Sequence, residues 1–167
     1  MKNTAANHNR RFQRWAQGAT AERRHTLQLA VDSLLPVLEA AGFRCVERSF
    51  DCGDVPRNTL NMERERIAGQ IDFVVIIFDQ YMRAQFQIFC GTKTKSKPHS
   101  WVGSGALVWK KKSEALKFKW WGAKWWQIDE EGALRDAVAT VALLLPQLLN
   151  FLDDGYADRN IWPVVIP

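Results

Sequence analysis

The stretch IDFVVIIF, residues 71–78, decides the fold of this 167-residue chain. Seven of its eight residues are apolar, and only Asp72 is not. Successive side chains of a β-strand point to opposite faces, so an apolar run of this length places apolar groups on both sides of the strand. This composition is typical of a strand at the centre of a sheet that is covered on both faces. We therefore predict that 71–78 is the central strand.

The segments around this strand predict further strands. TLNMERER (59–66) precedes it, and AQFQIFC (84–90) follows after a short connection, as in a hairpin. The polar, lysine-rich segment 90–100 is predicted to be a loop. Because no helical pattern interrupts this region, we expect an antiparallel meander rather than βαβ units. The remaining strands are predicted within 43–50, 101–112 and 114–128.

Two amphipathic helices are predicted, one on each side of the strand-rich region. The first begins near Thr20, a good N-cap, and ends at Gly42, where a left-handed C-cap is needed. Pro36 within it predicts a kink. The second begins at Asp129 and ends at Gly155, and spacings of three and four predict its buried side: Leu134, Val138, Val141, Leu145, Leu148 and Leu152.

These elements predict one α+β domain over residues 20–167, preceded by a flexible basic segment at 1–19. The fold consists of an N-terminal helix, an antiparallel meander sheet of about five to seven strands and a C-terminal helix, with both helices packed on one face of the sheet. The apolar tail IWPVVIP (161–167) is expected to dock on the domain. No run of about 18 apolar residues and no secretory signal are present, so we expect a cytoplasmic protein without a membrane span.

The cysteines and histidines do not form a metal-binding pattern. Cys45, Cys52 and Cys90 give an odd count without a CxxC pair, and the three histidines do not cluster with them. We therefore expect reduced thiols, no metal and no cofactor. Phosphate-binding, dinucleotide-binding and metalloprotease motifs are also missing from the sequence, which leaves no assembled catalytic motif.

One enzymatic hypothesis concerns a nuclease. Asp72 on the central strand, Gln87 on its hairpin partner and Lys93 beyond resemble the Asp…(Glu/Gln)-x-Lys layout of restriction-endonuclease-like folds. The sequence departs from that layout because Ile88 and Phe89 follow Gln87 and Lys93 lies too far along the chain. In the same region Glu63 and Glu65 share one strand face, so they are a second candidate for metal binding or acid–base chemistry. A charged, exposed strand is the alternative for this pair.

The stretch KKKSEALKFKWWGAKWW (110–126) combines six lysines and four tryptophans. If 115–121 is a strand, Leu116, Phe118 and Trp120 share one side, and Lys117, Lys119 and Trp121 share the other. This alternation is typical of a half-buried structural strand. Tryptophan beside lysine is also what a surface for single-stranded nucleic acid presents. The candidate binding residues in this stretch are Lys117, Lys119, Trp121, Lys124 and Trp125.

Charge is distributed unevenly along the chain. The net charge is +5, yet residues 93–124 alone carry +8 and residues 129–160 carry −5. Charge of this kind bears on partner choice and solubility rather than on fold.

The layout resembles that of small bacterial α+β proteins of unknown function, some of them immunity proteins that neutralise toxins. The resemblance lies in LLPVLEAAGF, then QIDFVVIIFD in a strand-rich middle, then a closing leucine-rich helix. It implies no particular functional residue. We expect a basic, non-enzymatic cytoplasmic protein that binds a protein partner. A nucleic-acid-binding module that uses 93–126 is the alternative, and a metal-dependent hydrolase or nuclease is the third. The sequence predicts neither the partner's identity nor the oligomeric state.

Overall fold

The structure of the chain is a computed structural model. It describes the following residues: 10–46, 48–49, 53–54, 58–81, 83–108, 120–124 and 127–164. The helices are α1 (Arg10–Ala16), α2 (Ala21–Ala40) and α3 (Glu130–Asp154). The strands are β1 (Arg44–Val46), β2 (Arg48–Ser49), β3 (Gly53–Asp54), β4 (Thr59–Ile67), β5 (Gln70–Phe78), β6 (Gln85–Thr94), β7 (Lys97–Leu107), β8 (Trp121–Gly122) and β9 (Ile161–Val164).

The main sheet has seven antiparallel strands in the order β1-β4-β5-β6-β7-β9, with β8 paired to β6 beyond the point where the β6–β7 pairing ends. Strands β2 and β3 form a separate two-stranded sheet. Helices α2 and α3 pack on one face of the main sheet and share one apolar core with it. The predicted α+β fold and the antiparallel meander are confirmed.

Strand β5 lies between β4 and β6, as its apolar sequence predicts. Its even-numbered side chains face the helices: Val74 and Ile76 are buried in the core beneath them. Its odd-numbered side chains face the other side of the sheet, where Phe73 is also buried and Val75 is half-buried. The run of apolar residues therefore fills both sides of the strand.

The end of the β5–β6 hairpin corrects the sequence prediction. Residues 90–100 were expected to be a loop, but β6 continues to Thr94 and pairs along the whole of β5, with Thr94 opposite Gln70. A short turn at 95–96 leads into β7. The polar composition misleads here because Lys93 is buried on the sheet face that the helices leave open, where it has an acidic partner.

Residues 10–19 belong to the domain. Phe12 on α1 is 1% exposed, and its ring centroid lies 5.0 Å from that of Phe78. Ala16 and Ala19 are buried in the same core. The prediction of a flexible segment over 1–19 therefore does not hold for 10–19, because these three apolar residues, spaced by four and three, anchor the basic segment in the core. Residues 1–9 lie outside the described part of the chain.

Helix α3 has the ends and the buried side that the sequence predicts. The Asp129 side chain accepts a hydrogen bond from the Gly132 backbone N–H at 2.8 Å, and Gly155 adopts the left-handed conformation at φ 78°. All six predicted apolar residues are buried, together with Phe151. Among the residues that the structure describes, α3 is also long and apolar enough to cross a membrane. That finding is weak evidence, because core helices pass the same test.

The C-terminal segment completes the sheet. Strand β9 pairs with β7 so that Ile161 lies opposite Leu107 and Pro163 lies opposite Gly105. Ile161 is fully buried, whereas Pro163 is exposed. The expectation that the tail docks on the domain is confirmed for 161–164, and residues 165–167 lie outside the described chain.

Candidate functional site

A groove lies between the extended segment that contains β8 and the first half of α3. Its volume is about 270 Å³. Among the residues that the structure describes, those that line it come from these two elements: Trp120, Trp121, Gly122, Lys124 and Gln127 from the extended segment, and Ala133, Asp136, Ala137 and Thr140 from α3.

Gly122 allows the extended segment to lie against the end of β6. Its φ of 105° is one that residues with side chains rarely adopt, and a Cβ at this position would collide with the carbonyl oxygen of Ala84. The Ala123 backbone N–H donates to the same Ala84 oxygen at 2.9 Å. The segment is therefore held beside β6, and this contact defines one wall of the groove.

Trp121 is a core residue. It is 4% exposed, and its indole Nε1 donates a hydrogen bond to the backbone oxygen of Leu107 at 3.1 Å. The sequence predicted Trp121 on the same side as the lysines and Trp120 on the core side, and this assignment is wrong. Trp121 pairs opposite Phe86, whose side chain lies in the core, so Trp121 points inward, and Trp120 is half-buried at the groove.

The other predicted binding residues have two different outcomes. Lys124 is half-buried and lines the groove, where its backbone N–H bonds to the Gln127 side chain at 2.5 Å. Lys117, Lys119 and Trp125 lie outside the residues that the structure describes. The structure therefore brings Trp121 and Lys124 together at one site and does not describe the rest.

The helical wall of the groove consists of small side chains. Ala133, Ala137 and Thr140 are spaced by four and three residues, so they share one side of α3. Asp136 lies on the same wall, opposite in charge to Lys124 across the groove. Sequence reasoning missed these residues because it treated α3 only as a core helix. The spacing of small residues in GALRDAVAT was the available signal.

Asp72, the first of the nuclease candidates, serves a structural cluster. It is fully buried, and its carboxylate accepts hydrogen bonds from Arg64 Nε at 3.0 Å and from Thr92 Oγ1 at 2.7 Å. Arg66 Nε lies 3.6 Å from the same carboxylate. A buried carboxylate held by two guanidinium groups has little capacity left for a cation.

The same two arginines hold the helix ends. Arg64 donates to the backbone oxygen of Ala41 after α2 at 3.2 Å and to the carboxylate of Asp153 in α3. Arg66 donates to the backbone oxygens of Leu152 and Asp153 at 2.7 and 2.9 Å. These carbonyls belong to the last turn of α3, where no further helical N–H can reach them. The cluster therefore fastens both helices to β4.

The remaining nuclease candidates lie on the opposite face of the sheet from Asp72. Lys93 follows Thr92, the residue paired with Asp72, so its side chain points away from Asp72. Lys93 Nζ donates to Glu63 Oε1 at 2.8 Å and lies 5.5 Å from the centroid of the Phe73 ring. Gln87 pairs opposite Ile77, near the other end of the strand. The structure does not bring Asp72, Gln87 and Lys93 together.

Glu63 and Glu65 share a strand face as predicted, and each has a lysine partner, Lys93 at the end of β6 and Lys95 in the turn that follows it. Glu63 bonds to buried Lys93, and Glu65 Oε1 accepts from Lys95 Nζ at 3.0 Å at the surface. The hydrogen bond from the Gly69 backbone N–H is the largest cause that lowers the pKa of Glu65. The hydrogen bond from Lys95 is the next largest and acts in the same direction. Within the described ranges, no group of three or more His, Cys, Asp or Glu residues is placed to hold a metal ion.

The two described cysteines, Cys45 and Cys90, are free. Burial raises the pKa of the Cys90 thiol to about 12, with a smaller contribution in the same direction from the charge of Asp72 and an opposing one from the Gly105 N–H. A thiol of this kind is neutral and unreactive at neutral pH.

The chain matches no protein-family model, no curated protein and no solved structure. The resemblance to immunity-type proteins therefore remains a prediction, and the candidate site rests on its geometry.

Proposed function

We propose that this chain is a non-enzymatic cytoplasmic protein that acts by binding a protein partner, with toxin neutralisation as the form that the sequence layout suggests. The observation that carries the proposal is the groove beside α3, which is lined by half-buried Trp120, by small side chains of α3, and by Lys124 and Asp136 of opposite charge.

The size and chemistry of the groove favour a protein partner over a free metabolite. Small-molecule sites usually have volumes of roughly 300–1,000 Å³ and enclose most of the ligand. The groove, at about 270 Å³, falls below that range and is open to one side. It fits a single large apolar side chain that a partner inserts as an anchor. Tryptophan is enriched at the energetically important positions of protein interfaces.

The two alternative functions have less support from the described residues. Nucleic-acid binding through 93–126 would use exposed tryptophan rings for stacking, and Trp121 is buried. Lys93 and Lys95, at the start of that segment, are paired with Glu63 and Glu65. A hydrolase through Asp72 would need a carboxylate that is available to a metal, and Asp72 is bonded to two arginines and a threonine.

A variant that fills the groove tests the proposal. Thr140 is exposed at the groove, so Thr140→Trp adds a large side chain there without disturbing the core. The matched control is Ser33→Trp, at an exposed position of α2. Tagged wild-type chain is used to capture proteins from source-organism cells, and the captured protein is purified and its affinity measured by calorimetry.

We expect Thr140→Trp to weaken binding at least about tenfold, equivalent to about 1.4 kcal/mol, and Ser33→Trp to change it less than twofold. Equal affinity of the three proteins would place the binding site elsewhere. Capture of nucleic acid alone, with steep salt dependence, would support the nucleic-acid alternative instead.

A further inference from the structure

The outer face of α3 is uncharged over most of its length. Residues 137–152 contain no charged residue. Along this stretch Ala139, Leu143, Pro146 and Asn150 are exposed, at spacings of four, three and four that place them in one line along the helix. Leu143 is 80% exposed. We refer to these four residues as the α3 stripe.

Helix α2, which covers the same sheet, has a different outer face. It exposes Arg24, His25, Asp32 and Ser33, as expected for a helix with one side in water. The α3 stripe lies on the side of its helix away from the buried residues, so packing in the core does not account for its three apolar members, Ala139, Leu143 and Pro146. Exposed apolar surface of this kind marks interaction sites when it is contiguous.

Two acidic residues bracket the α3 stripe, and one of them, Asp136, also lines the groove. Asp136 and Asp154 are both exposed and lie 18 residues apart, which is five helical turns. They therefore point in the same direction, about 27 Å apart along the helix. Among the described residues, neither makes an ion pair within 4.0 Å, whereas neighbouring Asp153 contacts Arg64. The stripe thus ends in a negative charge at each end.

This charge pattern argues against two occupants and favours a third. In a two-fold dimer of this chain through α3, antiparallel helices would place Asp136 against Asp154, and parallel helices would place each aspartate against its own copy. Both arrangements bring like charges together. An anionic lipid surface would also be repelled by both ends. A partner with a positive charge at each end is complementary to the stripe.

We propose that the α3 stripe binds an amphipathic helix of a different protein, with apolar residues spaced by three and four and with a lysine or arginine near each end, about five turns apart. The inference rests on the proposed function and names the kind of partner. Leu143 at the middle of the stripe is the central apolar contact, and Asp136 and Asp154 set the register of the two helices.

Site-specific photocrosslinking tests this inference on the full chain. A photoreactive phenylalanine analogue replaces Leu143, whose side chain is 80% exposed. The same analogue at Ser33 is the control, and at Thr140 it reports on the groove. The proteins are expressed in source-organism cells and irradiated, and the crosslinked segments are sequenced by mass spectrometry.

We expect the Leu143 position to crosslink to a segment of another protein with the stated apolar spacing and basic ends. The corresponding synthetic peptide should bind the wild-type chain, Asp154→Lys alone should weaken that binding although it leaves the groove unchanged, and Asp136→Lys/Asp154→Lys should weaken it more than about tenfold. Changing the two basic residues of the peptide to glutamate should restore its binding to the double variant.

Crosslinking of Leu143 to a second copy of the chain, to lipid or to nothing would overturn the inference, as would a double variant that binds the peptide within twofold of wild type. Crosslinking at Thr140 without crosslinking at Leu143 would leave the proposed function standing and remove the inference alone. Absence of a crosslink to protein at both positions would count against both.

Discussion

Arg64 and Asp72 lie directly opposite each other on β4 and β5, with Nε of Arg64 3.0 Å from Oδ2 of Asp72. The same guanidinium group lies 4.7 Å from the centroid of the Phe43 ring and bonds to the chain beyond α2 and to α3. One side chain thus joins the sheet to both helices while it neutralises a fully buried carboxylate.

Replacement of Arg64 by methionine is expected to destabilise the domain by about 3–5 kcal/mol, because it leaves a buried carboxylate without its main partner. Chemical denaturation measures the change in the free energy of unfolding. Arg135→Met removes an exposed pair with Glu131 and is the control, with an expected change of less than about 0.5 kcal/mol. Equal losses in the two variants would show that Asp72 does not need the arginine.

Glu63 and Glu65 of β4 pair with Lys93 at the end of β6 and with Lys95 in the turn after it, but only the Glu63–Lys93 pair is buried. Lys93→Met is expected to destabilise the domain by about 1–3 kcal/mol, because Glu63 is left without its main charged partner. Lys95→Met should lower the free energy of unfolding by less than about 0.5 kcal/mol, since Lys95 and its partner Glu65 are both about half exposed.

A double variant separates the cost of a broken pair from the value of the pair itself. Glu63→Gln/Lys93→Met is expected to be more stable than Lys93→Met alone, because no unpaired charge remains. A double variant that is less stable than the single one would contradict this explanation.

Gly122→Ala is expected to lower stability more than Gly69→Ala does. Both glycines have positive φ, at 105° and 82°, which costs a residue with a Cβ about 1–3 kcal/mol. At Gly69 nothing lies within 4 Å of the added atom, whereas at Gly122 it meets the Ala84 backbone oxygen. Thermal melting compares Gly69→Ala, which adds backbone strain alone, with Gly122→Ala, which adds strain and a collision. Identical melting temperatures of the two variants would mean that β8 moves away from Ala84 without cost.

Labelling of Cys90 by a thiol reagent is expected to be absent in the native state at pH 7–9 and to appear on unfolding, because the pKa of the thiol is raised to about 12 by burial. The unfolded thiol ionises near pH 9, so its contribution to stability is constant below that pH and decreases as pH rises toward 12. Peptide mapping follows Cys90 separately, and half-buried Cys45 serves as the internal comparison.

Elements whose sequence periodicity matches their burial were predictable. Strand β5 is apolar on both sides and lies centrally, and α3 buries the leucines and valines that its spacing identifies. Local signals at the helix ends were equally informative, since Asp129 and Gly155 act as caps through short-range geometry.

Features that depend on contacts across the fold were not predictable in the same way. The sequence alone predicts Lys93 to be a solvated loop residue, because its partner Glu63 is brought near it only by the pairing of the strands. The inward orientation of Trp121 follows from its pairing opposite Phe86, a core residue thirty-five positions earlier in the chain. The groove combines both kinds of information, because its two walls come from separate elements that only packing brings together.

The position of β9 has a consequence for the order in which the domain folds. Strands β4 to β7 pair with their immediate neighbours in sequence, so their hairpins close through short loops at a small cost in chain entropy. Strand β9 must reach β7 from more than fifty residues away, and the α3 helix lies between them in the chain. Because long-range contacts slow folding, the meander is expected to form first. The edge of β7 that receives β9 would then be the last part of the sheet to close and the first to open.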